Sequence, residues 1–268
     1  MTEERTPAGI DPSVPSAARI YDYFLGGKDN FAADREAAEK IIALGDQMDY
    51  DIRALVRANR AFLGRAVREL ADAGVRQFLD LGTGLPTREN VHQIAEEARV
   101  VYVDNDPLVL VHARALLEDN RRTIAVAGDL REPREILDDP AVRAHLDFDQ
   151  PVAILALAVL HFFPDDEQVA GIVSTLRDGL PSGGYLVISH GYATRGEAEK
   201  VAESRAVYSR TAAGDIVQRD PAHLARLMEG FELLEPGVVP VESWRPRADQ
   251  YPGDPDRSGY LAAVGRKP

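Results

Sequence analysis

The sequence predicts an α/β protein in which a doubly wound, mostly parallel sheet carries an N-terminal helical cap and an antiparallel C-terminal hairpin. From Val75 onward, short apolar segments alternate with amphipathic segments, which is the pattern of parallel strands covered by helices on both faces. Before Val75 the apolar residues keep a helical spacing. Near the C-terminus two apolar segments are joined by a Pro-rich loop without a crossover helix, which favours an antiparallel pair at the sheet edge.

The N-terminal part is predicted to form a tail followed by three helices. Residues 1–15 contain three prolines and few apolar side chains, which is typical of a disordered segment. The first helix begins near Ser16 and ends at Gly26-Gly27, the second has Asn30 as its N-cap and reaches Ala43, and the third runs from about Asp51 to Ala71. One face of the third helix is formed by Ile52, Leu55, Val56, Asn59, Phe62, Leu63, Ala66, Val67 and Leu70. We expect residues 1–73 to form the tail and cap, and residues 74–268 to form the sheet domain.

The strands and helices of the sheet domain follow from the alternation of the two patterns. The predicted parallel strands are Gln77–Leu81, Val100–Asp104, Thr123–Ala127, Val152–Ala158 and Tyr185–Ser189. The predicted helices between them are Asn90–Ala98, Pro107–Glu118 and Asp165–Leu180, the last with Asp165 and Gln168 as a capping box. The predicted hairpin strands are Phe231–Val239 and Tyr260–Val264.

Composition excludes several classes of function. The chain has 268 residues, 31 basic and 44 acidic side chains, a formal charge of −13 and no cysteine. Without cysteine, disulfides, thiolate zinc sites, iron–sulfur clusters and cysteine nucleophiles are excluded, and the histidines show no metal-ligand spacing. The acidic balance argues against a nucleic acid partner. The longest uninterrupted apolar run, Val152–Leu160, is too short to span a membrane, and the N-terminus lacks a signal-peptide core, so we expect a cytoplasmic protein with no membrane partner.

A glycine loop directly after the first strand is the sharpest chemical feature. Asp80, Gly82 and Gly84 form a DxGxG pattern around Thr83. Glycines at such a turn let the backbone approach a ligand closely. A dinucleotide site favours GxGxxG, whereas Thr87 occupies the third position here. The carboxylate of Asp80 would repel a pyrophosphate and attract a cationic ligand.

Further acidic residues follow the second and third strands. Asp104, with Asn105 beside it, comes twenty residues after Gly84, where a carboxylate can accept hydrogen bonds from both hydroxyls of a ribose. Asp106 precedes Pro107 and is interpreted as a helix N-cap. Asp129 and Leu130 follow the third strand, where the carboxylate can accept from an adenine amino group. Because parallel strands end at one edge of a sheet, these side chains are expected to share one site.

Together these residues resemble the class I S-adenosylmethionine-dependent methyltransferases over roughly Val75 to Lys267. The resemblance implies a Rossmann-like fold with S-adenosyl-L-methionine as cofactor. It also implies that Asp80, Gly82, Thr83 and Gly84 hold the methionine part, that Asp104 and Asn105 hold the ribose, and that Asp129 and the Leu130 backbone meet the adenine. The end of the fourth strand, at Ala158, is then expected to flank the sulfonium.

The N-terminal segment Ala18–Ala37 is similar to the opening of an actinobacterial subfamily of predicted methyltransferases whose substrate is unassigned. The segments Trp244–Pro246 and Gly259–Lys267 are similar to that subfamily too. An aromatic face stabilises a cation within about 6 Å, so Tyr21 is expected to contact the sulfonium. The cap would then act as a lid that excludes water and aligns a small-molecule methyl acceptor.

The sequence leaves the general base and the turnover of the protein open. His190 and His161 both follow predicted strands, and either is a candidate to take a proton from the acceptor, with His190 favoured. Methyl transfer to an already nucleophilic atom needs no base. Two alternatives therefore stay open, a non-catalytic S-adenosylmethionine-binding protein and an NAD-dependent oxidoreductase. The sequence indicates neither the identity of the acceptor nor the oligomeric state.

Overall fold

The computed structural model describes residues 10–47, 49–86, 89–117, 120–193, 203, 205–211, 214–248 and 259–268. In these ranges the chain forms one mixed sheet in the order β3-β2-β1-β4-β5-β8-β6, with β7 also paired to β8. The strands are β1 (Gln77–Leu81), β2 (Arg99–Asp104), β3 (Thr123–Ala127), β4 (Ala153–Leu157), β5 (Tyr185–Tyr192), β6 (Glu232–Leu233), β7 (Val239–Pro240) and β8 (Gly259–Arg266). Strands β1 to β5 are parallel and β8 runs antiparallel to β5.

Helices cover both faces of the sheet. They are α1 (Ala17–Phe24), α2 (Ala32–Asp46), α3 (Ile52–Asp72), α4 (Val91–Ile94), α5 (Pro107–Leu117), α6 (Pro133–Asp138), α7 (Pro140–His145), α8 (Asp166–Gly179) and α9 (Pro221–Leu227). Alternate residues of β1 enter opposite cores, because successive side chains of a strand point to opposite faces. Leu79 and Leu81 pack with α6, α7 and α8, whereas Phe78 packs with α3 and α4. The strand order reverses between β1 and β4, which is where ligands bind in sheets of this type.

The doubly wound, mostly parallel sheet and its antiparallel C-terminal edge confirm the predicted fold class. Strands β1 and β3 have the predicted bounds, and β2, β4 and β5 differ from them by one to three residues at an end. The continuous strand predicted over Phe231–Val239 is wrong, because it is divided into β6 and β7. Between them Pro236 has no amide hydrogen to donate, and Gly237 has a φ of +83°. Both short strands still pair antiparallel with β8.

Two helix predictions also differ from the structure. The helix predicted over Asn90–Ala98 is only four residues long, because the backbone leaves the helical region at Ala95 and must reach Arg99, whose amide pairs with Arg76. Asp165 accepts from the amides of Glu167 and Gln168 as a helix N-cap. The side chain of Gln168, predicted to close a capping box, instead lines a cavity. Helices α6 and α7 were not predicted, although each has a proline in its first turn.

The first three helices pack together above the carboxyl ends of the strands. Ile20 and Phe24 of α1 are buried against Ala38 and Ile41 of α2 and Val56 of α3. The second helix begins at Ala32, so the prediction of Asn30 as its N-cap is wrong. The carboxylate of Asp34 accepts from the Phe31 amide instead, at 2.7 Å.

The tail prediction needs a correction in its second half. Ile10 packs against the cluster of Leu85, Leu108 and Val109, and the Val14 carbonyl accepts from Arg19 at 2.6 Å. Residues 10–15 are therefore tied to the body of the protein, and residues 1–9 lie outside the described part. Within the described ranges, no helix combines the length and the apolar character that a membrane span requires.

Candidate functional site

A cavity of about 780 Å³ lies at the carboxyl ends of β1 to β4, beneath α1 and α3. All ten residues predicted from the sequence to hold a cofactor line it, namely Tyr21, Asp80, Gly82, Thr83, Gly84, Asp104, Asn105, Asp129, Leu130 and Ala158. Of the two histidines predicted as bases, His161 lines the cavity. Ligand pockets have volumes of about 300–1,000 Å³, so this one has room for a nucleoside-sized cofactor and a second small molecule.

The two glycines of the loop after β1 have different roles. Both have a positive φ, +64° at Gly82 and +65° at Gly84, where other residues are strained. A Cβ atom on Gly82 would lie 2.6 Å from Cγ2 of Val159, whereas one on Gly84 would meet nothing within 4 Å. Gly82 therefore allows the loop to pack against the segment after β4, and Gly84 leaves open space on the cavity side.

Asp104 joins the loops that follow β1 and β2. Its Oδ2 atom accepts from the Gly84 amide at 2.9 Å, and its Oδ1 atom accepts from the Asp106 amide at 2.9 Å. The side chain is buried, and burial raises the pKa of its carboxyl although the backbone hydrogen bonds oppose this. The carboxylate is thus fixed in orientation at the cavity wall, with lone pairs left for further donors.

Asp80 places a buried carboxyl group beneath the loop. Thr83 donates a hydrogen bond to it at 3.2 Å, and only 5% of the residue is exposed. Burial raises the pKa of Asp80 to about 7, while the positive charge of Arg60 acts in the opposite direction. A cation bound in the cavity would favour the ionised carboxylate over the protonated one.

Asp80, Asp104 and Asp129 together form one side of the cavity, which we call the acidic wall. Asp129 has a more solvated environment than the other two. Its carboxylate accepts from Arg131, both from the backbone amide and from Nε, each at 2.9 Å. These hydrogen bonds lower the pKa of Asp129, so it is ionised at neutral pH. The Leu130 side chain packs in the core on the α6 side of the sheet, which leaves its backbone at the cavity.

Ala158 follows β4 in a backbone conformation that alanine rarely adopts, with a φ of +51°. Its amide donates to both the carbonyl and the hydroxyl of Ser189, at 3.0 and 2.9 Å. Strained backbone of this kind persists only where the surroundings hold it, and it is common at ligand sites. Here it turns the chain from β4 into the cavity wall.

The cap covers the cavity through α1 and α3. The Tyr21 hydroxyl accepts from Nδ2 of Asn59 at 2.9 Å, and burial raises its pKa. Asp22 accepts from the Asn30 side chain and from the Asp29 amide, at 2.8 and 3.0 Å. A Cβ atom on Gly27 would lie 1.9 Å from the Asp22 carboxylate, so the Gly26–Asn30 turn requires a glycine there.

Buried polar contacts fix the cap to the loop after β2. Arg19 and Asp34 form a fully buried ion pair, with Nε and Oδ2 2.7 Å apart. The Ser16 hydroxyl donates to Oδ2 of Asp106 at 2.7 Å. Since the Asp106 amide also donates to Asp104, the cap is connected to the acidic wall of the cavity by two consecutive hydrogen bonds.

The two candidate bases differ in their surroundings. His190 is fully buried outside the cavity lining, with Nδ1 donating to the Gly191 carbonyl at 2.8 Å and Nε2 accepting from Arg219 at 3.0 Å. Burial lowers its pKa to about 4, and both nitrogens are used structurally. His161 lines the cavity, and its Nδ1 has no partner among the described residues, although burial lowers the pKa of this ring well below the usual value too. The geometry therefore favours His161, the reverse of the preference drawn from the sequence.

Sequence reasoning missed several residues of the lining. Asn59, Phe162, Tyr208 and Tyr260 line the cavity from four different segments. Asn59 could have been recognised from the sequence as a candidate, because it is a polar residue on the apolar face of α3. Phe162, Tyr208 and Tyr260 could not be recognised in this way, because isolated aromatic residues are normal in any core.

Comparisons with known proteins identify the family of the chain. An S-adenosyl methyltransferase family model matches residues 3–268. A DUF574 family protein from Streptomyces avermitilis has 40% sequence identity and a TM-score of 0.88, covering 96% of this chain and 99% of that one. A Thermobifida fusca protein provisionally named a methyltransferase has 38% identity and a TM-score of 0.87, covering 98% and 99%.

A Mycobacterium marinum protein named "Putative S-adenosyl-L-methionine-dependent methyltransferase" is 32% identical over 175 residues, which are 63% of this chain and 51% of that protein. The chain thus spans about half the length of the curated relatives it matches. The family model, in contrast, covers nearly the whole chain. The chain therefore belongs to the S-adenosyl methyltransferase family.

Proposed function

We propose that the chain holds S-adenosylmethionine along the acidic wall of the cavity and transfers its methyl group to a small-molecule acceptor beneath the cap. One observation carries the proposal. Three carboxylates, Asp80, Asp104 and Asp129, come from the ends of three adjacent strands and line one cavity together with the open Gly84. This set suits a cofactor with a cationic amino acid part, a ribose and a base.

The residues present fit this cofactor. The lining holds carboxylates for the cationic part and for the hydroxyl donors, and the space in front of Gly84 accepts a ligand where a Cβ atom would stand. Asp104 is already oriented by two backbone amides, so little ordering is needed on binding. The pairing of Asp129 with Arg131 leaves part of its carboxylate surface for an amino group.

The chain's own residues then position the reactants. When bound, the cofactor supplies an activated methyl group. Asp80 and Asp129 hold its two ends, and Asp104 holds the ribose between them. Ala158 and Leu157 form the wall that faces the far part of the cavity, and α1 with α3 excludes water from above. Such alignment accounts for about 7–11 kcal/mol of barrier reduction in well-oriented reactions, so positioning suffices without a strong base.

Calorimetry with S-adenosylmethionine, S-adenosylhomocysteine and NAD tests the proposal. The two methionine nucleosides should bind and NAD should not. Asp104→Ala should weaken S-adenosylhomocysteine binding by about 2–3 kcal/mol, because a hydrogen bond to a charged group contributes about 1.5–3 kcal/mol. Asp138→Ala, an exposed aspartate outside the cavity, is the control and should bind normally. Unaltered affinity in a folded Asp104→Ala protein would remove the ribose assignment.

Turnover is tested separately, because binding alone fits a non-catalytic sensor. One observation favours the sensor. Both nitrogens of His190 are used in structural hydrogen bonds, so His190 is not available as a base in the cavity. Incubation with S-adenosylmethionine and candidate acceptors should release S-adenosylhomocysteine in excess of the protein. Tight binding without release, over a broad set of acceptors, would favour the sensor.

A further inference from the structure

The cavity has two chemically different ends. The acidic wall described above belongs to β1, β2 and β3, on one side of the point where the strand order reverses. The other end, which we call the aromatic end, is formed by Tyr21, Asn59, His161, Phe162, Tyr208 and Tyr260. These residues come from α1, α3, the segment after β4, a helical turn at 205–208, and β8.

The members of the aromatic end are in contact with one another. The His161 ring lies 4.5 Å from the Phe162 ring and 6.1 Å from the Tyr260 ring, measured between centroids. The Phe162 and Tyr208 rings are 5.9 Å apart, and Tyr21 packs in the same apolar cluster as Tyr208. The hydrogen bond between Tyr21 and Asn59 completes the wall. A flat ring is the shape that such a wall accommodates, because aromatic rings stack or meet edge to face.

The aromatic end also offers unused hydrogen-bonding groups. Four buried side-chain polar atoms of the described residues have no partner, and two of them, Oδ1 of Asn59 and Nδ1 of His161, belong to residues of this end. Nδ1 of His161 lies beside Gly191, outside the cavity lining, whereas Asn59 lines the cavity. Buried polar atoms in proteins are nearly always paired, so the unpaired Oδ1 atom of Asn59 points to a ligand that supplies a donor. The hydroxyls of Tyr208 and Tyr260 are not hydrogen-bonded to any described residue, and burial raises the pKa of both, so they stay protonated.

The charges around the cavity disfavour an ionic ligand at this end. Asp215, the acidic residue on this side, is paired with Arg205 through Oδ1 and Nε at 3.0 Å. Across the described lining, seven aspartates face three arginines, which disfavours an anion. A cation would lie next to the positive sulfonium of the cofactor and be repelled. A neutral ligand avoids both costs.

We propose that the aromatic end binds the methyl acceptor, and that this acceptor is a neutral aromatic compound carrying a hydroxyl or amino group. The inference rests on the proposed function. The lone pair of the acceptor's oxygen or nitrogen forms the bond to the methyl carbon, while the carbon–sulfur bond breaks and its electrons stay on sulfur. The acceptor's proton is released to water. Asn59 is a positioning residue whose Oδ1 atom accepts a hydrogen bond from the acceptor's hydroxyl or amino group.

The test measures binding to protein saturated with sinefungin, an unreactive analogue of S-adenosylmethionine whose amine carries a positive charge in place of the sulfonium, using three probes that share one ring system. These are 2-naphthol, which is neutral, 2-naphthoate, which is anionic, and 2-naphthylmethylammonium, which is cationic. Calorimetry should show 2-naphthol binding about tenfold or more tightly than either charged probe, because burying an unpaired charge is costly. Absence of 2-naphthol binding, or tighter binding of a charged probe, would overturn the inference.

Variants then locate the binding. Tyr260→Ala and Tyr208→Ala should each weaken 2-naphthol binding by about tenfold, since each removes a large contact surface, and leave S-adenosylhomocysteine affinity within about twofold. Tyr23→Ala is the matched control, because this half-buried tyrosine of α1 donates to Glu39 and does not line the cavity. Unchanged 2-naphthol affinity in both folded variants would place the probe elsewhere and overturn the assignment.

An isosteric variant covers the case in which the alanine variants do not fold. Asn59→Asp keeps the shape of the side chain and adds a negative charge, so it should shift the preference from 2-naphthol toward 2-naphthylmethylammonium. An unchanged order of the three probes would contradict the inference. Failure of S-adenosylhomocysteine itself to bind would instead reject the proposed function, so the two failures are distinguishable.

Discussion

Asp80 is the residue through which pH should control both stability and cofactor binding. Its pKa is raised by burial from 3.8 to about 7. A shift of about three pK units corresponds to about 4 kcal/mol that disfavours the ionised form in the folded protein. Because the folded state holds this proton more tightly than the unfolded state, the free energy of unfolding should fall by up to about 4 kcal/mol as the pH rises from about 4 through 7.

The substitution Asp80→Asn removes the titration and keeps the shape of the side chain. Near pH 4 the variant and the wild type should have similar free energies of unfolding, because both side chains are neutral. Near pH 8 the variant should be the more stable by up to about 4 kcal/mol, since the wild type carries a buried charge there. Urea unfolding at the two pH values measures the difference.

Cofactor binding should show the opposite pH dependence. The ammonium group of the methionine part, which S-adenosylmethionine and S-adenosylhomocysteine share, favours the Asp80 carboxylate. Binding below pH 7 must therefore release the Asp80 proton, and affinity should rise up to about tenfold per pH unit until the pKa is passed. Calorimetry with S-adenosylhomocysteine between about pH 5.5 and 8.5, in two buffers of different ionisation enthalpy, measures the affinity and the released protons. Asp80→Asn should lose most of this slope, because it removes the carboxyl whose pKa lies within the range.

Asp129→Asn is the matched control for the pH experiment. Asp129 lies in the same cavity, but the hydrogen bonds from Arg131 lower its pKa, so it stays ionised over the whole range. The variant is expected to keep the wild-type slope even if its affinity is lower. A flat wild-type profile, or an equal slope in wild type and Asp80→Asn, would refute the reasoning that Asp80 faces the cationic part of the cofactor.

Two further predictions concern the glycine loop and the cap. Gly84→Ala and Gly237→Ala should each lower the free energy of unfolding by about 1–2 kcal/mol, because both positions have a positive φ and open space. Only the Gly84 variant should lose cofactor affinity. Equal affinities would mean that the ligand does not approach Gly84. Ser16→Ala should lower stability by about 1 kcal/mol and weaken cofactor binding through Asp106, whereas Ser13→Ala, which removes an exposed hydrogen bond, should do neither. Chemical denaturation and calorimetry check both pairs, and a Ser13 effect as large as that of Ser16 would contradict the role of Asp106.

The acidic wall was predictable from the sequence because its members are set by local pattern. Each of Asp80, Asp104 and Asp129 stands at or directly after a strand, and parallel topology brings the ends of such strands together without further information. The division of Phe231–Val239 was less accessible, because its apolar pattern is that of a strand. Only Pro236 and Gly237 signal the break, and these residues are also common at strand ends.

The formation of the aromatic end and the exclusion of His190 as a base depend on contacts between segments that are far apart in the sequence. His190 follows the same pattern as a strand-end base, and what excludes it is Arg219, which is 29 residues away in the sequence. Tyr208 and Tyr260 come together with Phe162 only once β8 has paired with β5. Asn59 is the exception, because a polar residue on the apolar face of α3 already indicates a buried partner or a ligand.

The connections between cap and sheet suggest why one chain should contain both. Ser16 and Arg19 of the cap reach Asp106, the Asp106 amide holds Asp104, and Asp104 holds the Gly84 amide. Any contact that orders Asp104 should therefore also stabilise the packing of the cap seen in the structure, and coupling of this kind is equal in both directions. Cofactor binding should then stabilise the cap that forms one wall of the aromatic end. We therefore expect that cofactor binding along the acidic wall prepares the other end of the same cavity for an acceptor.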